Sequence, residues 1–436
     1  MYHFLFLLLC VLAALSLAGW VYLYGFRGNF WLAKPRIEDM ETPPVQGQNN
    51  YPSVVAIVPA RDEADVIGTS LRTLLAQDYP GDFRVILVDD GSTDGTAEVA
   101  RQTAKSMNAE SRLEILRGAE LPPGWTGKLW AMDQGVKRTQ ASSPDFIWFT
   151  DADISHDVSE LGQLVGIAQG QSRDLVSLMV LLHCESEREK TLIPAFVFFF
   201  QMLYPFSWVN DPKRKTAAAA GGSMLARRSA LAAAGGIEAI KGEVIDDCAL
   251  ARLIKQRGSI WIGLTAKTRS LRQYDKGNDI GDMVARSAYA QLGYSPFLLI
   301  LTIIGMLIVF AAPLPVAAII MLSPDLAMEP RSAFSSSQVN AAPWFLAIFL
   351  AVAPYGISLE AYRPTLALYG LGWRAGAWWS IVALKYCAMI IESARRHGRG
   401  EGGAWKGRTY SELAELQLTD ALEVKRADKG TVERRR

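Results

Sequence analysis

The sequence predicts an α/β domain with a mostly parallel, doubly wound sheet, held between transmembrane helices. Three observations carry that prediction. Between Val54 and Leu116, short apolar runs alternate with amphipathic helical stretches in a β-α-β-α-β order. Polar clusters follow the apolar runs directly, at the strand ends where open α/β sheets bind their ligands. Outside this region, Tyr2 to Phe26, Ser287 to Pro324 and Ser332 to Leu359 contain no Asp, Glu, Lys or Arg, and each is long enough to cross a bilayer.

Composition narrows the chemistry. Half of the 436 residues are hydrophobic and the formal net charge is +1, so overall charge makes no case for nucleic acid. Cys10, Cys184, Cys248 and Cys387 form no CxxC pair, and no HExxH occurs. Neither a disulfide framework nor a zinc site is indicated.

Taken in order, residues 1–26 are an expected membrane anchor. A cleaved signal peptide is the alternative, but the run has no basic start and no small-residue cleavage site. Arg27, Lys34 and Arg36 follow at once, which puts the downstream side in the cytoplasm. Residues 27–52 are assigned as a linker, polar and proline-bearing from residue 41 onward.

The α/β domain is expected over 53–286. Val54 to Val58 reads as a buried parallel strand. It runs into Pro59-Ala60-Arg61-Asp62-Glu63, and Val66, Ile67, Leu71, Leu74 and Leu75 then share one helical face. Val85 to Val88 is a second strand, followed by Asp89-Asp90-Gly91-Ser92-Thr93-Asp94-Gly95. Thr96 to Met107 is the next helix and Leu113 to Leu116 the third strand.

Gly124-Trp125-Thr126-Gly127-Lys128 leads into a helix from about Leu129 to Arg138. Gly127 lets the backbone approach a ligand, and Lys128 can reach a phosphate; a solvated lysine at a helix start reads the same way. The strand Phe146 to Phe149 ends in Asp151-Ala152-Asp153. Two hard oxygen donors where the chain turns suit Mg²⁺ or Mn²⁺ carrying a diphosphate. A solvated turn would carry the same acids. Parallel strands would set Arg61-Asp62-Glu63, Asp89-Asp90 and Asp151-Asp153 on one rim.

Residues 157–169 are expected to be helical, and Leu175 to Val180 a strand. The apolar stretch 191–209 is interrupted by Pro194, Gln201 and Pro205. It is assigned as an interfacial helix pair on the bilayer, with a plain core helix as the alternative. Ala217 to Met224 is a small-residue stretch suited to close packing beside a substrate. Asp246-Asp247 precedes a helix whose Leu250, Leu253 and Ile254 face inward, where an acid is also an ordinary N-cap. Ser259 to Leu264 is a strand, followed by Arg269-Ser270-Leu271-Arg272-Gln273-Tyr274.

From Val54 to Tyr274 the chain resembles family 2 glycosyltransferases of the GT-A fold, which is Rossmann-like. The resemblance rests on Val58-Pro59-Ala60-Arg61-Asp62-Glu63, Asp89-Asp90, Asp151-Ala152-Asp153, Asp246-Asp247 and Arg269-Ser270-Leu271-Arg272-Gln273. It implies nucleotide contacts from Pro59, Ala60, Arg61, Glu63, Asp89 and Asp90. It implies a divalent ion on Asp151 and Asp153, and general-base catalysis by Asp247. Lys128, Asp151, Arg269 and Arg272 would face the donor diphosphate. Asp246 stands in place of the family's usual glutamate, and Gln273 in place of its tryptophan. The missing tryptophan argues against polysaccharide synthesis.

More narrowly, residues 124–131, 194–200, 270–274 and 289–296 are similar to bacterial hopene-associated glycosyltransferases. The family resemblance implies an inverting enzyme moving a sugar from a nucleotide-diphosphate sugar, a UDP-sugar, and the narrower similarity implies a lipid acceptor that is hopanoid-related. A processive polysaccharide synthase, or a non-catalytic membrane scaffold or lipid transporter, are the alternatives.

The C-terminal membrane region is expected over 287–394, with spans at Ser295 to Ser323, broken by Pro313 and Pro315, and at Ala342 to Leu359. Lys385 interrupts 375–391, which is assigned as interfacial or re-entrant. The tail 395–436 carries eleven Lys/Arg against seven Asp/Glu, which places it in the cytoplasm. The expected location is a bacterial inner membrane, with several spans and a cytoplasmic catalytic domain.

Overall fold

The computed structural model describes residues 2–40, 51–274, 279–323 and 342–401. Most of the 41–52 linker, the loop holding Arg331 and the tail beyond residue 401 lie outside the described residues.

Its centre is a mixed, mostly parallel α/β sheet. The strands are β1 (Val54–Ala60), β2 (Phe83–Asp89), β3 (Leu113–Arg117), β4 (Phe146–Thr150), β5 (Ile154–Ser155), β6 (Leu175–Leu181), β7 (Ser223–Arg227) and β8 (Ile260–Ser270). Their order across the sheet is β3-β2-β1-β4-β7-β6-β8-β5. The first four are mutually parallel, while β7 runs antiparallel to both neighbours. β1 is buried along its whole length, which explains why it reads as a continuous apolar run rather than an alternating one.

Helices cover both faces. α2 (Ala64–Leu75), α3 (Thr96–Ser106) and α5 (Glu160–Gly170) bury Ile67, Leu71, Leu74, Ala100, Ala104 and Leu164 on one side. α4 (Gly127–Arg138) and α9 (Asp246–Lys255) bury Leu129, Met132, Leu250 and Ile254 on the other. The apolar spacing of α2 and α9 was legible in the sequence.

The stretch 191–209 differs from its expected place on a bilayer surface. It forms α6 (Glu187–Leu203) and α7 (Phe206–Asn210). Along α6, Leu192, Ile193, Ala195, Val197, Phe198 and Phe199 are buried in protein. Phe198 meets Phe30, Tyr362 and Trp379 edge-on, and Phe199 packs on Trp379 and Tyr386. The helix is therefore an interior one, wedged between the α/β domain and the C-terminal helices. An aromatic face looks the same in sequence whether it meets lipid or protein.

Residues 30–40, within the assigned linker, are packed. Phe30, Ala33 and Ile37 are buried, Pro35 O accepts from Leu264 N–H at 2.9 Å, and Glu38 Oε1 accepts from Thr265 Oγ1 and Ala266 N–H at 2.6 and 2.9 Å. This segment ties the first helix to β8.

α1 (Tyr2–Phe26) packs on α12 (Pro313–Leu322) and α13 (Ala342–Leu368) through Leu9, Ala13, Ala317, Ala347 and Ala351. Small side chains let apolar helices approach closely, where lipid supplies no hydrophobic drive for association. Among the described residues, Phe4–Phe26 and Pro343–Leu368 are long and apolar enough to cross a membrane. Pro296–Ala311 and Pro313–Leu322, bent by 50° at the break, make a third if counted as one span. The bend falls at Pro313, where a proline was expected to interrupt the span. These helices associate the chain with a membrane. α10 (Asp279–Gln291), α11 (Pro296–Met306) and α14 (Trp379–Gly398) complete this end, with Trp379, Val382, Ala383 and Tyr386 of α14 turned inward.

Candidate active site

Because β1, β2 and β4 are parallel, their carboxyl ends share one rim, and the three acidic clusters lie along it. Two cavities open beside it. A recess of about 120 Å³ is lined by Pro59, Glu63, Lys128, Asp151, Asp153, Asp246 and Arg272, among others. A larger cavity of about 540 Å³ is faced by Asp151, Asp153, Asp247 and Arg272.

Asp151 and Asp153 follow the last residue of β4. Leu271 N–H donates to Asp153 O at 2.7 Å, which pins this turn to the end of β8. Burial, then the nearby charges of Asp151 and Glu63, push the Asp153 carboxyl up to about 7, with Arg272 opposing. Three carboxylates crowd one partly enclosed place, and added positive charge would relieve them. Beneath them, Thr150 Oγ1 donates to Gly222 O at 2.9 Å and lies 3.0 Å from His156 Nε2. His156 Nδ1 is 2.8 Å from Glu160 Oε2, and Ser223 and Thr268 hydroxyls donate to the same carboxylate at 2.6 and 2.5 Å. This buried network fixes the strand ends that carry the acids.

Lys128 stands one residue into α4, whose N-cap Thr126 accepts from Leu129 N–H. Its Nζ lies 2.9 Å from Asp151 Oδ1 and 3.1 Å from Asp246 Oδ2. Burial works against the ammonium, but Asp151 and Asp246 hold its pKa above the ordinary lysine range. It thus joins the metal-type acids to the acids of α9.

Asp247 lies in the first turn of α9. Its Oδ2 accepts from Gly221 N–H at 2.9 Å and its Oδ1 from Cys248 N–H at 2.7 Å. Burial and the neighbouring Asp246 raise its carboxyl to about 6, with Lys128 pulling the other way. That is a value suited to a base working near neutrality. A Cβ on Gly221 would sit 3.3 Å from Lys128 Nζ and 3.6 Å from Asp247 Oδ2, so the small-residue stretch does border the site.

Other expected site residues are placed differently. Ala60, Arg61, Asp89 and Asp90 sit at the neighbouring strand ends but line neither cavity. Arg61 Nη1 donates to Asp90 O at 2.6 Å and lies 3.4 Å from Asp90 Oδ2. Asp89 Oδ1 accepts from Ser92 N–H at 3.0 Å and so holds its own turn. Arg269 is not brought to the site. β8 runs on to Ser270, so alternation turns Thr268 and Ser270 inward and leaves Arg269 exposed opposite Ser155. Arg272, beyond the strand end, does reach both cavities.

Sequence reasoning missed Arg286 of α10, which lines both cavities. Nothing in its local sequence marks it; only the packing of α10 over the rim does. Asp282 of the same helix pairs with Arg396 Nη2 at 2.6 Å, tying α10 to the end of α14.

Residues 55–235 match the family model Glycosyl transferase family 2. The match covers less than half of the chain. The chain is similar to Glycosyltransferase AglE of Haloferax volcanii, 35% identical over 129 residues, or 29% of this chain and 39% of that one. It is also similar to 4,4'-diaponeurosporenoate glycosyltransferase of Staphylococcus aureus, 36% identical over 106 residues, or 24% of this chain and 25% of that one. The chain thus spans well under half the length of these relatives. Among solved structures, it resembles mannosyltransferase PcManGT from Pyrobaculum calidifontis in complex with GDP-Man and Mn²⁺. That likeness has 21% identity, 88% coverage of this chain, 98% of the other and a TM-score of 0.49. A second is glucosyl-3-phosphoglycerate synthase from Mycobacterium tuberculosis in complex with Mn²⁺, UDP-glucose and phosphoglyceric acid. It has 19% identity, 56% and 80% coverage and a TM-score of 0.35.

The acids at the end of β4 also fit a divalent ion. Asp151 and Asp153 offer hard oxygens, and Asp153 is a half-buried carboxylate crowded by others. Among the described residues, no three His, Cys, Asp or Glu side chains form a metal-holding group. An ion here would complete its shell with diphosphate oxygens and water, as Mg²⁺ commonly does.

Proposed function

We infer that the chain is a membrane-anchored, inverting glycosyltransferase that moves a sugar from a nucleotide-diphosphate sugar, a UDP-sugar in our reading, to a lipid acceptor. The observation that carries this reading is the shared cavity of Asp151, Asp153 and Asp247 beside apolar helices. A scaffold that only bound a nucleotide would need no second carboxylate facing the same cavity and held by two backbone N–H groups at the start of α9.

In this mechanism Asp151 and Asp153 would hold Mg²⁺ or Mn²⁺, which would supply Lewis-acid neutralisation of the leaving group. Lys128 and Arg272 add fixed positive charge where the leaving charge develops. Asp247, ionised and held by two backbone N–H groups, takes the proton from the acceptor hydroxyl as that oxygen attacks the anomeric carbon. The displacement is a single step and inverts the anomeric configuration. Pro59 and Glu63 bound the donor side of the recess, and Ala60, Arg61, Asp89 and Asp90, at the neighbouring strand ends outside it, would meet the nucleoside along the rim.

Arg27, Lys34 and Arg36, just past α1, favour a cytoplasmic domain at a bacterial inner membrane. Nucleotide sugars are made on that side. A lipid acceptor is also supported by the S. aureus relative, whose name gives a carotenoid acid as acceptor. Within the lipid class, the stretches similar to hopene-associated enzymes point to a hopanoid-related molecule.

The test is purified full chain in native lipid extract with Mn²⁺ and a panel of nucleotide sugars, the lipids then being weighed by mass spectrometry. One donor should add one sugar mass to a lipid, and chelation should abolish the gain until Mn²⁺ or Mg²⁺ returns. No glycosylated lipid and no released nucleotide diphosphate would overturn the reading.

A further inference from the structure

A third cavity, of about 350 Å³, meets the site from the membrane end. Its walls come from α6, α10, α11 and α14, through Phe199, Met283, Thr302, Met306, Tyr386 and Ile390. Its inner end is the start of α9, including Asp247. The same carboxylate therefore faces the charged cavity on one side and an apolar passage on the other. α11 is the first half of the bent apolar helix pair, so the passage begins where lipid tails would be.

The charge along this passage is one-sided. Among the described residues that line it, Arg286 is the only cation, set against Asp246 and Asp247. Among the described residues, the 540 Å³ cavity that receives its inner end has Arg272, Arg286 and Arg396 against Asp151, Asp153, Asp247, Asp279, Asp282 and Glu401, with Lys128 between Asp151 and Asp246 as one further cation beside it. Arg396 is paired with Asp282 and Glu392, and Arg272 faces the donor side. A lipid phosphate carries up to two negative charges, and a buried one needs cations or N–H donors around it. Here it would meet a surplus of carboxylates. A hydroxyl needs only an acceptor for its proton, and Asp247 is one.

We propose that this passage is the acceptor site and that it takes a lipid alcohol with an uncharged head, not a lipid phosphate or diphosphate. The inference rests on the glycosyltransferase reading above. The apolar body lies among Phe199, Met306 and Ile390, and the hydroxyl reaches Asp247. The oxygen forms a bond to the anomeric carbon, the bond to the nucleotide diphosphate breaks, and the proton passes to Asp247. On this wall the Tyr204 hydroxyl donates to Gln291 Oε1 at 2.8 Å.

The experiment splits native lipid extract on an anion exchanger into neutral and anionic fractions. Each is reconstituted with the full chain, Mn²⁺ and the panel of nucleotide sugars. Transfer confined to the neutral fraction supports the proposal. Transfer confined to the anionic fraction, or equal in both, overturns it and leaves the glycosyltransferase reading standing. Transfer to neither overturns both. A Thr302→Trp variant then tests the route. It should raise KM for the neutral acceptor about tenfold with kcat nearly unchanged, while Mn²⁺-dependent binding of nucleotide diphosphate shows that the variant is folded. An unchanged KM overturns the passage as the acceptor site.

Discussion

Replacing Asp247 with Asn keeps the outline of the side chain and removes its capacity to take a proton. In the native site the two carboxylate oxygens accept from Gly221 N–H at 2.9 Å and Cys248 N–H at 2.7 Å. Asparagine can serve one of these donors and must turn its own NH₂ toward the other. One buried donor then lacks a partner, a stability loss of about 1–3 kcal/mol. The kinetic loss is larger. A positioned general base contributes roughly 10²–10⁴-fold, or about 3–5 kcal/mol of barrier. The assay is transfer of labelled sugar to lipid, read beside calorimetric binding of nucleotide diphosphate with Mn²⁺. Transfer should fall by that factor while binding holds within about twofold. The pH profile gives a second reading. The base acts ionised, so native transfer should fall about tenfold per pH unit below about 6 and level off above it. The variant should lose that limb. Turnover within about threefold of native, with the acid limb intact, would refute the assignment of Asp247 as the base.

Three further perturbations follow from the same contacts. Lys128→Ala removes the cation between Asp151 and Asp246, so Asp247 loses a charge that lowers its pKa. The acid limb of the pH–rate profile should move to higher pH, and donor KM should rise. Gly221→Ala puts a methyl 3.3 Å from Lys128 Nζ and 3.6 Å from Asp247 Oδ2; transfer should fall about tenfold, with the thermal transition nearly unmoved. Glu160→Ala strips the acceptor shared by His156, Ser223 and Thr268. Breaking such a buried charged network should destabilise by roughly 3–5 kcal/mol, visible as an earlier thermal transition by intrinsic fluorescence.

The rim of the site was legible because it depends on local signals. Continuous apolar runs mark buried parallel strands, and whatever follows them must lie at their carboxyl ends. Asp151 and Asp153 were reached in that way, from the end of β4; Lys128 was singled out at a helix start after Gly127, and the role of Asp247 came from the family resemblance. The misplacements have physical causes of the same kind. Arg269 and Arg272 are three residues apart, and which one faces the site depends on where β8 stops. The run was expected to end near Leu264, and the extra residues to Ser270 set the alternation that exposes Arg269. For α6, composition could not say which apolar neighbour it has, lipid or protein. Residues 30–40 mix apolar and charged side chains with no helix or strand period, and burial of Phe30, Ala33 and Ile37 lays them along β8. Arg286 had no local signal because its role comes from α10 crossing the rim.

The interior position of α6 bears on how two incompatible substrates reach one base. A nucleotide diphosphate sugar needs charge and water; a lipid body needs neither. Phe196 and Phe200 of α6 line both the charged cavity and the apolar passage, so the helix is the partition between them. Its placement is fixed from both ends. At its start, Glu189 accepts from Tyr274 N–H at 2.8 Å and from the capping Ser186, which fastens α6 to the segment carrying Arg272. Hydrogen bonds from Ser186, Tyr274 and His183 outweigh burial there and bring the Glu189 carboxyl down to about 2. That stabilisation is present above the ordinary glutamate range and is lost only as pH falls toward 2. Farther along, Phe198 and Phe199 lock into the aromatic rings of the C-terminal helices. A helix lying on the bilayer could not hold this position, because nothing would fix its distance from Asp247. On the proposed reading, burying α6 keeps donor and acceptor apart until both meet at the first turn of α9.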